Sequence, residues 1–430
     1  MRTSHRPPHR RAMLVGLAAM GCSPMATEAN AGDAAPGAVA TGADRLAADR
    51  FAFLRGRRVG LVTNHTGRVD SGRLIDVMAR APGLTLAAIL TPEHGLAGMA
   101  EAGAKVTGGM DAATGVRVHS LYGAAYKPTP EMLTGLDMLV FDMQDIGTRF
   151  YTYISTMGLS MQAAAAAGLP FVVLDRPNPL GGADVSGFVL EKAFASFVGR
   201  YPIPVVHGLT IGELARMIAG ERMLPGLERL ALDVVEMDGW RRAMRWHETG
   251  IAWIATSPNI PTFETALAYA GTGFFEATVA SEGRGTDAPF LVLGHPEIDA
   301  DAMAGQLAST GLPGVDFEGV RITPRARAGV ATTPRFRDRE IPGVRLAITT
   351  LATYRPVETG IALLAAFAGA LRARGGPSLV ADAVAFNRLA GTDRLRAALD
   401  RGVPGAAIVA SWSAEVAAFR AKRARYLIYS

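Results

Sequence analysis

At 430 residues the chain is too long for one hydrophobic core and predicts about two domains. Its 49% hydrophobic and 19% charged residues exclude a disordered chain. The net charge of +5 is modest, and part of it sits in the first eleven residues, MRTSHRPPHRR, so it offers no basic face of the kind that binds nucleic acid.

Residues 1–22 read as a signal peptide. A basic run ends at Arg10-Arg11, and the apolar run from Ala12 to Gly21 is far short of the roughly 20 residues that a membrane-spanning helix needs. The expected destination is periplasmic or otherwise extracytoplasmic, through the Sec or the twin-arginine route. Cys22, the only cysteine, follows the apolar run at the place of a lipoprotein attachment site and offers a lipid anchor. Ala19 and Met20 fit a lipobox poorly, and ordinary cleavage near ATEANA is the alternative. A single cysteine leaves no disulfide within the chain. Residues 23–45, small and containing Pro and Gly, read as a flexible linker.

From residue 46 strand-like apolar runs alternate with helical patterns, the mark of an α/β domain with a parallel sheet and crossover helices. The runs are 58–64 (RVGLVTN), 84–92 (LTLAAILTP), 116–123 (VRVHSLYG), 136–145 (LDMLVFDMQD) and 170–177 (PFVVLDRP). Helices are expected over 71–80 and 151–167, and Thr210 with Glu213 forms a capping box that starts another. A second, smaller mixed α/β region begins between Asp238 and Glu264, with strands expected over 273–280, 289–294 and 344–351 and a helix over 358–374.

Ligands of open parallel sheets bind beyond the carboxyl ends of the strands. Here those ends carry Asn64 and His65, Glu93 and His94, Asp142 and Asp145, and Asp175 and Arg176. Any one of them is explained as well by helix capping; four together point to a shared cleft. Pro92 ends the pairing of its strand, Gly95 and Gly98 let the chain turn, and Glu93 is expected at the rim. Arg149, Tyr151 and Tyr153 follow the strand of Asp142, where a helix N-terminus favours an anion and aromatic faces suit sugar rings; packing of the helix is the plainer role for Phe150 or Tyr153. In the second region SEGRGTDAP (281–289) brings Glu282, Arg284 and Asp287 together, either as a solvated loop or facing the first domain. No dinucleotide-binding glycine pattern, P-loop or serine-nucleophile elbow is present, and no cofactor is expected. His65 and His94 lack the spacing of a metal site, and no metal is expected.

GLVTNHTG, LTPEHGLAG, DMQDIGTRFYTY, DRPNPLGG, PVVHGLTIGELA, SPNIPT and SEGRGT occur in that order, and the chain from about residue 48 to its end resembles the NamZ family, exo-acting β-N-acetylmuramidases of glycoside hydrolase family 171. The resemblance implies a Rossmann-like catalytic domain without a nucleotide (46–240), an auxiliary C-terminal domain (241–430), a cleft between them, and a peptidoglycan-derived amino sugar as substrate. It also implies that Glu93, in the Pro-Glu-His-Gly motif, is catalytic.

Glycoside cleavage needs a proton donor and a second group across the sugar. Glu93 is the expected acid, and Asp142 or Asp145 the second carboxylate. In the alternative the substrate's own acetamido group attacks, oriented by Asp145 or His65. Arg149, Arg176 and Arg284 are the candidates for the lactyl carboxylate that distinguishes muramic acid from glucosamine. Two rivals remain: a non-catalytic binder of cell-wall sugar, and a metal-dependent hydrolase using His65, His94 and Asp142.

Overall fold

The computed structural model describes residues 38–430. The signal segment, Cys22 and most of the expected linker lie outside the described residues. The end of that linker is structured. Val39 is buried, Ala40 bridges to Asp238, and Thr41 and Asp44 form a capping box on α1 (Gly42–Ala48). The fold therefore starts ahead of residue 46, because a Thr-x-x-Asp cap hides among small residues.

Seven strands make the first sheet: β1 (Arg58–Thr63), β2 (Thr85–Thr91), β3 (Gly109–Met110), β4 (Arg117–Ser120), β5 (Met138–Asp142), β6 (Phe171–Leu174) and β7 (Leu232–Val235). Their order in space is β3-β4-β2-β1-β5-β6-β7, parallel except for the edge strand β3. The five expected runs each contain one of these strands. They read as continuous apolar runs because both faces are covered. Along β5, Leu139 and Phe141 enter one core with α3 (Tyr153–Ala167) and α4 (Ile211–Gly220). Met138 and Val140 enter the other, beneath α1 and α2 (Leu74–Arg80). Each such side chain contributes roughly 1.5–3 kcal/mol on burial.

Strand order reverses at β1: the chain runs outward through β2 to β4 and then returns to β5 on the other side. This switch opens a crevice beyond the carboxyl ends of β1, β2 and β5. Thr210 and Glu213 form the expected capping box on α4. The helix expected from residue 71 begins at Leu74, because Arg68–Val69 and Gly72–Arg73 first pair as a short ribbon.

In the C-terminal half β8 (Val292–Gly294), β9 (Val315–Ile322) and β10 (Ile341–Ile348) form an antiparallel sheet in the order β8-β10-β9. The expected strand over 273–280 is instead a 3-10 helix, Gly273–Ala277, continuing α5 (Phe263–Thr272). A short apolar run does not by itself distinguish a buried strand from a buried helix. Behind the sheet lie α6 (Ala300–Ala308) and α7 (Pro356–Ala373). At the crossing of α5 and α7, a Cβ on Gly271 would stand 1.8 Å from the Pro356 carbonyl, so glycine permits the approach. One hydrophobic cluster includes Phe141 and Met157 from the first half and Phe275, Leu364 and Phe367 from the second.

Between β9 and β10 the chain leaves the sheet as an arm, residues 323–340, closed at its base by the pairing of Ile322 with Ile341. The arm reaches the first half. Thr332 donates from its amide (2.9 Å) and its hydroxyl (2.8 Å) to the Glu101 carboxylate, and Asn259 Nδ2 donates to the Val330 carbonyl (2.7 Å).

Candidate active site

Glu93 stands where β2 gives way to a loop in which His94, Gly95 and Gly98 all have positive φ. It is 8% exposed. Its Oε1 accepts from the Gly103 amide (2.9 Å) and its Oε2 from the Thr152 hydroxyl (2.8 Å). The Tyr122 phenol lies near the same carboxylate; burial first, and then the Glu93 charge, push it above its usual range. Thr152, at the N-cap position of α3, has helical φ and ψ and makes no side-chain cap; its hydroxyl goes to Glu93. The carboxylate thus sits beside the N-terminus of a fifteen-residue helix, where the dipole favours an anion.

His65 and Asn64 leave β1 toward the same crevice. His65 Nε2 bonds the Ala255 carbonyl at 2.6 Å, and its ring covers Gly98, where a Cβ would stand 2.0 Å from Cε1. Burial holds this imidazole below its ordinary value, against the raising pull of the carbonyl. With Nε2 donating, Nδ1 is the bare acceptor of the neutral ring, and it is buried without a partner. Asn64 Oδ1 closes an Asx turn onto the Thr66 amide (3.0 Å) and hydroxyl (2.6 Å), while its Nδ2 is unpartnered. His94 Nδ1 bonds the Ala100 carbonyl at 2.7 Å and braces the Glu93 loop.

Asp145 follows β5 and is buried. Its Oδ2 accepts from the Gly147 amide (2.7 Å), Oδ1 has no partner, and burial pushes the carboxyl up to about 7. The residue lies close enough to Tyr151 for its charge to act on that phenol. Tyr151 donates to the Thr256 hydroxyl (2.8 Å) and Tyr153 to the Thr256 carbonyl (2.7 Å). The segment 255–259 thereby gathers His65, both tyrosines and, through Asn259, the arm.

The facing wall belongs to the C-terminal half. Arg284 donates to Glu276 at 2.6 Å and to Glu282 at 3.4 Å and lies over the Phe290 ring. Glu282 Oε2 is buried without a hydrogen-bond partner, 3.9 Å from Arg335 Nε. Burial raises the Glu276 pKa and Arg284 opposes the shift; the charges of Glu282 and Glu93 both add to it. Acids of the two halves therefore share one field. Glu101, Ala102, Glu276, Glu282, Arg284 and Arg335 line a cavity of about 370 Å³ here. A larger groove of about 530 Å³, between α6, α7 and residues 399–409, is mostly apolar and has no such convergence of acids.

Four expected site residues are structural ties instead. Asp142 is wholly buried with both oxygens on Arg176 (2.6 and 2.9 Å), and Arg176 also donates to the Arg68 carbonyl (2.8 Å). Burial raises the Asp142 pKa and Arg176 opposes it. Neither partner is free for substrate. Asp175 accepts from Thr210 Oγ1 and Tyr429 Oη on one oxygen and from the Gly212 and Arg176 amides on the other. Arg149 is fully buried, donating to the carbonyls of Phe188 (2.6 Å), Ile203 (3.1 Å) and Leu389 (2.8 Å), and desolvation lowers its pKa to about 9. It faces no carboxylate. Arg284 is in the cleft, but two glutamates already occupy it.

The metal-hydrolase alternative fails on the same geometry, since His65, His94 and Asp142 each point at a different protein partner. No metal-binding group of three acids, histidines or cysteines occurs among the described residues. Sequence reasoning missed Tyr122, Thr152, Glu276 and Arg335. Tyr122 follows β4 and obeys the same strand-end rule as Glu93. Glu276 was hidden by the misassigned strand.

Two family models match the chain: "Exo-beta-N-acetylmuramidase NamZ, N-terminal" over residues 59–264, and its C-terminal counterpart over 267–429. The peptidoglycan beta-N-acetylmuramidase NamZ of Bacillus subtilis (strain 168) is 41% identical over 377 residues, which cover 87% of this chain and 88% of the relative. Among solved structures, a DUF1343 family protein of Bacteroides fragilis NCTC 9343 superposes with a TM-score of 0.82 at 34% identity, covering 92% of this chain and all of that one. A second from the same organism gives 0.75 at 31%, covering 91% and 99%. On both family models and on this identity over most of its length, the chain belongs to the exo-β-N-acetylmuramidase NamZ family.

Proposed function

We propose that the protein is an exo-acting glycosidase that releases N-acetylmuramic acid from the non-reducing end of peptidoglycan fragments, with Glu93 as proton donor. The observation that carries this is the setting of Glu93: buried at the switch-point crevice, held on both oxygens, and near enough to Glu276 of the C-terminal half for the two charges to act on each other.

The two oxygens of Glu93 are not equivalent. A backbone amide only donates, so Oε1 stays an acceptor. The Thr152 hydroxyl can turn to accept, so the proton delivered to the leaving oxygen sits on Oε2. The second role falls to an acid with a spare buried oxygen, Asp145 or Glu282. Asp145, its carboxyl pushed up to about 7 by burial, suits orientation of the acetamido group; Glu282 suits activation of water from the other wall. Tyr122, only partly buried, supplies aromatic surface for the sugar.

Wild type and Glu93→Gln are incubated with a muramyl disaccharide, whose leaving alcohol needs protonation. Loss of a general acid predicts a fall in kcat/KM of about 100- to 10,000-fold. Undiminished turnover by the variant removes Glu93 from the chemistry, and binding without any wild-type turnover favours the non-catalytic sugar binder.

A further inference from the structure

We propose that Arg335, carried on the 323–340 arm, receives the lactyl carboxylate of the terminal muramic acid and so sets selectivity over N-acetylglucosamine. This rests on the muramidase reading above and deepens it.

The three arginines expected to meet this carboxylate are otherwise committed. Arg149 is enclosed by three carbonyls and Arg176 is locked on Asp142, both almost without solvent contact. Arg284 lies between Glu276 and Glu282, so a third carboxylate would meet the charge of two. Arg335 lines the same cavity with its side chain 39% exposed. Its commitments are one hydrogen bond to the Glu276 carbonyl (3.1 Å) and the 3.9 Å approach to Glu282. Most of its five N–H donors remain for a carboxylate, which a guanidinium fork binds through two parallel hydrogen bonds.

Arg335 is also fixed relative to Glu93. Glu101 is two residues before Gly103, whose amide holds Glu93, and its carboxylate takes two hydrogen bonds from Thr332, three residues before Arg335. Val330 is held in turn by Asn259. The loop that holds the acid and the arm that carries the cation are thus tied to one another by hydrogen bonds. The lactyl ether leaves the ring at C3, two carbons from the anomeric centre where the leaving oxygen takes its proton.

The test is the ratio of kcat/KM for 4-nitrophenyl N-acetylmuramide to that for the N-acetylglucosaminide, in wild type, Arg335→Ala, Arg335→Lys and Glu93→Gln. A lost charge-assisted hydrogen bond predicts that Arg335→Ala lowers the ratio about 10- to 100-fold. Arg335→Lys, keeping the charge without the fork, falls between the two. Glu93→Gln lowers both substrates together and leaves the ratio, which separates failure of the catalytic reading from failure of this one. Should wild type turn over neither substrate, the same ratio is taken from Kd values for N-acetylmuramic acid and its lactyl methyl ester. An unchanged ratio in Arg335→Ala, by rates or by Kd values, overturns the assignment.

Discussion

Thr152 stands at the N-cap position of α3 with helical φ and ψ, and its hydroxyl goes to Glu93 rather than to the helix. Thr152→Val, nearly isosteric, is expected to lower kcat about 10- to 100-fold with little change in KM, because the lost bond orients the proton donor rather than the sugar. Thr152→Ser, which keeps the hydroxyl, is expected to retain most of the activity. Full activity in Thr152→Val together with a loss in Thr152→Ser, in steady-state assays, would show that the methyl packing matters and the hydroxyl does not. At this scale the sequence was most informative about where Asn64, His65 and Glu93 lie, because the carboxyl end of a parallel strand carries its polar residues to the crevice whatever lies around it. It was least informative about arginines. A guanidinium reaches far, and whether it meets a carboxylate as Arg176 does, a set of carbonyls as Arg149 does, or open space as Arg335 does is decided by residues tens or hundreds of positions away.

At the scale of elements, the polar ends of β5 and β6 stitch the sheet together. Asp142 and Arg176 join neighbouring strand ends, and Asp175 ties β6 to the start of α4 and to Tyr429 at the end of the chain. Desolvation pushes the Asp175 carboxyl up to about 7 against its four hydrogen-bond donors. Between about pH 4 and 7 the native state then holds a proton that the unfolded chain has released. Stability falls as pH rises through that window, by up to about 1.4 kcal/mol per pH unit from this one group. Urea unfolding of wild type and Asp175→Asn at pH 4.5 and 7.5 checks this: wild type is expected to lose more stability than the variant on going to the higher pH, and equal losses contradict it. Five strands of the first sheet were legible because burial on both faces writes an unbroken apolar run. β7 and β9 were not, since β7 is partly exposed and β9 alternates with charged residues on an open face. The run over 273–280 misled for the opposite reason: it is apolar and buried but helical.

Across the whole molecule the proposed chemistry is divided between halves that share one core. The sheet half brings Glu93, Thr152, Tyr122 and Asp145; the C-terminal half brings Glu276, Glu282, Arg284 and, on its arm, Arg335. That division was foreseen only as a cleft, because the arm has no periodicity to betray it and shows simply as Arg325, Arg327, Arg335, Arg337 and Arg339 in a stretch without strand or helix pattern. The central claim is that Glu93 hands its proton to the departing oxygen, and dependence on the leaving group tests it most directly. The kcat/KM of Glu93→Gln relative to wild type is measured on a muramyl disaccharide, whose leaving alcohol needs protonation, and on the 2,4-dinitrophenyl muramide, whose phenolate leaves unaided. The predicted result is a loss of about 100- to 10,000-fold on the disaccharide and one at least about tenfold smaller on the aryl glycoside. The same loss on both substrates would contradict proton donation by Glu93.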